Sequence, residues 1–173
     1  MRIFYFSTGW TIVLCFVLWI VINLSAAYIC LYLPDKVFNP NSFFFRSQPF
    51  EKDGQLYEKV FKVKSWKQLL PDGGALWKKR GYKKKHLQDF SEENLERFLV
   101  EAGRGELTHW LSILSFWVFG LFLPAASTWA MLIYALVANL PCIIAQRYNR
   151  PRFLRLLERT RSRRNAGNCP VSL

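Results

Sequence analysis

The sequence predicts an all-α integral membrane protein. It is expected to hold about three transmembrane helices, one N-terminal span plus a C-terminal helical hairpin, with a basic cytoplasmic interfacial region and a C-terminal amphipathic helix. Three observations predict this. Two long segments, 3–34 and 107–146, contain no Asp, Glu, Lys or Arg; they are 32 and 40 residues long. The chain is 51% hydrophobic and 17% aromatic, yet its net charge is +12. A soluble domain rarely combines these, so the apolar and the charged residues belong to different solvents. Finally, the charges are sorted: 15 Lys and Arg against 11 Asp and Glu in 35–106, and 8 against 1 in 147–173, with Arg2 alone before the first apolar segment.

Crossing ~30 Å of hydrocarbon takes ~20 apolar residues. Residues 3–33 are therefore one span with length to spare. Ser25-Ala26-Ala27 faintly resembles a signal-peptidase site, but the apolar core exceeds the ~7–15 residues of a secretory signal. An uncleaved anchor is expected. The 40-residue segment would cover ~60 Å as one straight helix, twice the hydrocarbon thickness. It also carries its own break, Gly120, Pro124 and then Ala125-Ala126-Ser127, where proline disfavours helix in the residue before it. Two helices, 107–123 and 128–147, are expected as an antiparallel hairpin.

Three spans put 35–106 and the tail 148–173 on one face. The positive-inside rule makes that face cytoplasmic and the N-terminus external, in a multi-pass protein of the cell membrane. The whole chain, 1–173, reads as a single membrane domain.

The region 35–106 is more than a linker. "KVFKVKSWKQLLPDGG" alternates basic and apolar residues before a turn signal, and reads as a short strand or an amphipathic helix on the membrane face. "WKKRGYKKKH" gathers bases around Gly81. "FSEENLERFLVEAGRGELTHW" reads as a helix with Ser91 as N-cap, acids in its first turn and Leu95, Phe98 and Leu99 on its apolar face. It is expected to run towards the second span, with Gly103 or Gly105 as a bending point. In the tail a new helix is expected after Asn149 and Pro151. Phe153, Leu154, Leu156 and Leu157 would lie in the headgroup layer, and the arginines would meet anionic lipid.

Cys15, Cys30, Cys142 and Cys169 form no CxxC pair. Neither a disulfide framework nor a metal site is expected.

Polar residues inside apolar segments are expensive and face another helix or a site. Asn139 and Gln146 are seven residues apart and share a face; Thr108, Ser112 and Ser115 recur at helical spacing. The structural explanation is inter-helix hydrogen bonding, the functional one the wall of a site. His109 follows Glu106 by three residues, so the two are helical neighbours. With the hairpin centred near residue 127, His109 should lie at the depth of Gln146 and Arg147. Arg104, Glu106, His109, Gln146, Arg147 and Asn149 would then meet at one cytoplasmic interface. A histidine there can take a proton near neutral pH with a carboxylate to orient it. Arginines can hold a phosphate or an oxyanion. An interfacial His-Trp pair without catalytic work is the structural counterpart. His86, after three lysines, is a second catalytic candidate.

"ELTHWLSIL" and "ANLPCIIAQRYNRPR", together with "YEKVFKVKSWKQLLPDG" and "KKHLQDF", resemble the bacterial glycosyl-4,4'-diaponeurosporenoate acyltransferases over roughly 30–155. The resemblance implies an integral membrane enzyme of carotenoid biosynthesis that moves a fatty acyl chain onto a sugar hydroxyl. The motif positions it implies are Trp66, Lys67, Asp72, His86, Glu106, His109, Arg147, Asn149, Arg150, Pro151 and Arg152. It implies no cofactor beyond the acyl donor, acyl-CoA or an acyl carrier protein. The partners it implies are membrane lipid, that donor and a glycosylated carotenoid or related isoprenoid glycolipid as acceptor. In this reading Glu106 orients His109, and Arg147 and Arg150 hold donor phosphates or the oxyanion. A direct attack by the sugar hydroxyl is expected, because no serine elbow is evident. The competing class is a non-enzymatic membrane subunit or scaffold with a basic lipid-binding face. A nucleic-acid partner is not expected, because topology accounts for most of the basic excess.

Overall fold

A computed structural model describes residues 2–70 and 90–167, with side chains to 165. The described residues are helical with irregular connections and contain no strand. The elements are α1 (Thr8–Tyr32), α2 (Gln55–Phe61), α3 (Val63–Trp66), α4 (Glu92–Leu114) and α5 (Ala125–Gly167). Short 3-10 turns cover Asp35–Phe38, Pro49–Gly54, Lys67–Leu69 and Ser115–Leu121. Two helices, Thr8–Tyr32 and Ala125–Asn165, are long and apolar enough to cross a membrane.

The chain divides into two compact units, Met1–Leu33 with Arg104–Ile143, and Pro34–Gly103 with Ile144–Leu173. In the first, α1 begins beside Leu121, whose carbonyl accepts the Ile3 and Phe4 amides at 2.8 and 3.1 Å. It ends beside Arg104, whose Nη1 donates to the Cys30 and Leu31 carbonyls, both at 2.8 Å. α1 is therefore antiparallel to the segment 104–121. The last carbonyls of a helix have no intrahelical donor, and a guanidinium also suits the negative end of the helix dipole. The core is Trp19, Ile22, Ile113, Phe119, Leu123, Ala135 and Ile143. Trp19 rests on Phe119 and Tyr134, with ring centroids 4.9 and 5.2 Å away.

The expected hairpin helices differ in detail from those found. α4 opens at Glu92, with the Leu95 amide bonded to the Ser91 carbonyl at 3.0 Å, and passes Gly103 and Gly105 as α-helix. It becomes 3-10 at Ser115, the tightening common at helix ends. α5 starts directly after Pro124 and is a single helix of 43 residues, not two helices parted at Asn149 and Pro151. Pro141 and Pro151 each delete one intrahelical bond, but packing in the second unit holds the tail helical. There Leu95 and Leu99 of α4 close on Leu157, Phe153, Leu154 and Leu156, each fully buried leucine contributing about 1.5–3 kcal/mol. Phe98 stacks on Phe153 at 3.8 Å. Arg161 pairs with Glu92 and Glu96, and Arg164 with Glu92. The apolar side of the tail, expected to face lipid headgroups, thus faces α4.

The alternating stretch after residue 59 is helical turns, α2, α3 and Lys67–Leu69, and not a strand. Lys62, with φ 49°, divides α2 from α3. Lys52, Asp53 and Gly54 have φ of 45°, 54° and 83°, turning the chain tightly into α2. Gly54 faces the α5 backbone; a Cβ there would sit 3.0 Å from the Tyr148 carbonyl oxygen. A left-handed φ costs a non-glycine residue about 1–2 kcal/mol, and the clash with backbone adds to it. Gly54→Ala should therefore lower stability by about 2 kcal/mol or more, read as a fall in melting temperature of the detergent-solubilised protein. Gly9→Ala, in open space within α1, should leave it unchanged or higher.

Candidate functional site

In the first unit the site is built across α4 and α5. His109 is half-buried on α4, and its Nδ1 lies 2.9 Å from Asn139 Oδ1 on α5. The Asn139 amide nitrogen donates to the Ala135 carbonyl at 2.9 Å, one turn back along α5. That bond fixes the amide's orientation, so Oδ1 faces the ring and Nδ1 must carry the proton. In the neutral imidazole the basic lone pair is then on Nε2. Asn139 is 5% exposed and Glu106, one helical turn before His109, is fully buried. Thr108 and Ser115 each bond a carbonyl of their own helix, Arg104 and Leu111. Arg104, expected to bind substrate, caps α1 as described above.

The second unit holds Gln146, Arg147, Asn149, Arg150, Arg152, Trp66 and Lys67. Arg147 Nη1 donates to Glu51 Oε1 at 2.8 Å and its Nη2 to the Phe44 carbonyl at 3.0 Å. Glu51, 2% exposed, also accepts the Tyr57 hydroxyl and, at 2.7 Å, the Gln48 amide. Burial disfavours the Glu51 carboxylate, but the bonds from Tyr57, Arg147 and Gln48 outweigh it and hold its pKa below the ordinary value. Burial and the same carboxylate push the Tyr57 phenol well above its ordinary range. Arg150, 2% exposed, donates to the Phe45 carbonyl at 2.6 Å and lies over the Phe45 ring at 5.4 Å. The arginines expected to hold phosphate are thus bonded to the protein itself, Arg147 to Glu51 and Phe44 and Arg150 to Phe45.

The neighbouring cations stand differently. Arg152 lies over the Tyr148 ring, Cζ 3.7 Å from the centroid. Lys67 Nζ is 5.0 Å from the same centroid and donates to Asn149 Oδ1 at 2.9 Å. Burial, then the nearby Arg152, push the Lys67 ammonium below its ordinary pKa, with Glu58 acting the other way. Trp66 donates Nε1 to the Phe61 carbonyl at 2.7 Å and packs on the Tyr57, Val63 and Tyr148 cluster. Gln146 is half-buried on α5. Asp72 and His86 lie outside the described residues. Among the described residues no cluster of His, Cys, Asp or Glu is arranged to hold a metal ion.

Sequence reasoning missed Glu51 and Tyr57. An acid in the short Glu51-Lys52-Asp53 turn carries no periodic signal, and its importance comes from a partner 96 residues away. Because its pKa is depressed in the folded chain, Glu51 stabilises the fold above the unfolded value near 4.5, and that stabilisation is lost as pH falls through the folded pKa. Glu51→Gln should cost roughly 3 kcal/mol at pH 7 by stranding Arg147. The gap between variant and wild-type melting temperatures should narrow as pH falls below about 4.5. A gap that stays constant from pH 7 to 3.5 would show that this carboxylate does not carry the charge described.

Residues 40–159 match the family described as glycosyl-4,4'-diaponeurosporenoate acyltransferase. Proteins of that name from Staphylococcus aureus strains bovine RF122 / ET3-1, MRSA252 and USA300 are each 37% identical over 143 residues. The aligned region covers 83% of this chain and 86% of each relative. No solved structure matches. The matched stretch contains His109, Asn139, Glu51, Arg147, Lys67 and Arg152, and the chain belongs to the glycosyl-4,4'-diaponeurosporenoate acyltransferase family.

Proposed function

We propose that this chain transfers a fatty acyl group from an activated thioester to a sugar hydroxyl of a glycosylated carotenoid or closely related glycolipid. Family membership over most of its length supports the acyl-transfer class, and the His109–Asn139 pair is the observation that carries the mechanism. Asn139 holds His109 in the tautomer with its lone pair on Nε2. The acceptor hydroxyl gives its proton to that nitrogen while its oxygen attacks the thioester carbonyl. The carbon–sulfur bond then breaks, and the leaving thiolate takes the proton back from the imidazolium. One ester and one thiol result, and no outside reactant is needed. Glu106, buried one turn away, stabilises the imidazolium. A direct transfer requires no acyl-enzyme.

The protein works as a three-span membrane protein. Residues 107–114 as α-helix and 115–121 as 3-10 rise roughly 26 Å, close to a ~30 Å hydrocarbon layer. Bonding of the Ile3 and Phe4 amides to Leu121 supports the N-terminus sharing a face with the hairpin turn, the outer one by the charge rule. A cysteine introduced at Lys52 or at Arg163 should be labelled only from the cytoplasmic side, and one at Arg2 only from outside. Labelling of Lys52 and Arg163 from opposite sides would overturn this topology.

Loss of a general base costs ~10²–10⁴-fold in rate. His109→Ala, at wild-type membrane level, should lower kcat for acyl transfer in nanodiscs by at least the smaller figure. Asn139→Leu frees the tautomer and should lower kcat with little change in either KM. Near-normal turnover of His109→Ala would remove the histidine from the mechanism. A scaffold without activity would show no acylated product from the wild-type chain, read by lipid mass spectrometry.

A further inference from the structure

Arg147, Arg150 and Arg152 come from one motif, yet their chemistry differs. The first two donate to Glu51, Phe44 and Phe45. Arg152 lies over the Tyr148 ring, its Cζ 3.7 Å from the centroid, and among the described residues it donates no hydrogen bond to protein. Stacking of this kind occupies the faces of a guanidinium and leaves its fork of N–H donors in the plane, directed outward. Lys67 shares the same ring and spends one of its three donors on Asn149. Burial first, and then the charge of Arg152, hold the Lys67 ammonium below its ordinary pKa, and among the described residues no carboxylate pairs with either cation; Glu58, which acts the other way, accepts the Lys64 amide on its Oε2 at 3.2 Å. Like charges held close by the fold cost stability unless an anion joins them. The platform beneath them is rigid: Tyr148 is fully buried and packs on Tyr57 and Val63.

We propose that Lys67 and Arg152, stacked on Tyr148 with Asn149 beside them, bind the phosphate groups of a coenzyme A-type acyl thioester. This rests on the acyl-transfer reading above and names the donor class it uses. A guanidinium fork matches phosphate oxygens in pairs, and an ammonium adds a point charge. The site is a compact pair of cations on one ring, the scale of a phosphate monoester or diphosphate. The acidic face of a carrier protein would need a broader basic surface. Binding at a group remote from the reacting carbonyl supplies energy that positions the thioester.

The test uses the full chain in phosphatidylcholine nanodiscs, titrated calorimetrically with coenzyme A and with pantetheine, which lacks the phosphates. Lys67→Gln and Arg152→Gln should each raise the coenzyme A Kd about tenfold, the scale of one charged hydrogen bond. Arg152→Lys should fall between, and pantetheine binding should not respond to any of the three. Unchanged coenzyme A binding in Lys67→Gln and Arg152→Gln, both melting as wild type, overturns the assignment. So does loss of binding to phosphatidylglycerol vesicles, or to holo-acyl carrier protein, with coenzyme A binding intact; the site would then serve a lipid headgroup or a protein donor. If no acceptor is ever acylated but coenzyme A binding still needs both cations, the phosphate site stands and the acyltransferase reading falls. If transfer proceeds with an unaltered acyl-CoA KM in both variants, the reading stands and the phosphate site falls.

Discussion

The second unit depends on two arginines satisfying a stretch of backbone that has no regular structure of its own. Residues 39–48 form neither helix nor sheet; local turns satisfy the Asn39, Ser42 and Gln48 carbonyls, and those outside the turns need donors from elsewhere. Arg147 and Arg150 reach from α5 to the Phe44 and Phe45 carbonyls. Arg147 also meets Glu51, which fixes the next turn through Gln48 and Tyr57. Each contact presupposes the others. Phe45 is buried with its carbonyl and its ring both against Arg150 and its ring also beside Phe38. Gly54 can approach the Tyr148 carbonyl only because the Glu51 turn delivers it there. Gly103 serves the same segment from α4, where a Cβ would press on Phe38 at 3.3 Å. A buried ion pair of this kind adds little net stability against an apolar equivalent, but removing one partner is severe.

The same reasoning separates the eight arginines after Gln146, which share a composition but not a task. Position along α5 decides the outcome. Arg147 and Arg150, three residues apart, face the irregular segment. Arg155 reaches Asp53 at 3.1 Å, and Arg161 and Arg164 reach the acids in the first turn of α4. Those last pairs are exposed and worth little each; the apolar contact of Leu157 with Leu95 and Leu99 beside them holds the tail. Arg152 stands apart because its neighbour is an aromatic face and not an acid or a carbonyl. A cation placed against a ring keeps its donors, which is what the phosphate site proposed above uses.

Much of this was legible from the residues. Helix follows from long apolar runs, the break falls at Pro124, and the start of α4 at Ser91 and Glu92 follows from a cap and acids. Continuity of α5 through two prolines was not legible, because the compensating contacts come from α4 and local rules count only the lost bond. Of the two readings of the alternating stretch, strand or helix, the helical one holds at 55–69, and the contacts of Tyr57 and Val63 with Tyr148 decide between them. For the site, His109 stood out as an ionisable group at an apolar boundary. Asn139 stood out too, as a polar residue facing another helix, but its pairing with His109 did not. Centring the hairpin on residue 127 puts His109 level with residue 145. α5 begins directly after Pro124, so the mirror point is 124 and the residue level with His109 is Asn139.

That three-residue shift changes the chemistry and not only the geometry. A carboxylate behind a histidine fixes its tautomer and also adds a negative charge, which at apolar depth needs its own solvation or counter-ion. An amide fixes the tautomer with a dipole alone. Asn139 has both ends engaged, Nδ2 with Ala135 and Oδ1 with His109, so it can neither rotate to the opposite orientation nor release the ring without losing a buried hydrogen bond. The cost of such a loss, about 1–3 kcal/mol, keeps Nε2 as the basic nitrogen before any substrate arrives. An amide partner of this kind fixes the tautomer without itself adding a charge beside the ring. In the proposed transfer the ring would pass through the imidazolium only for the interval between attack and departure of the thiol. In the mechanism proposed above, Glu106, buried one turn away on the same helix, supports the ring during that interval.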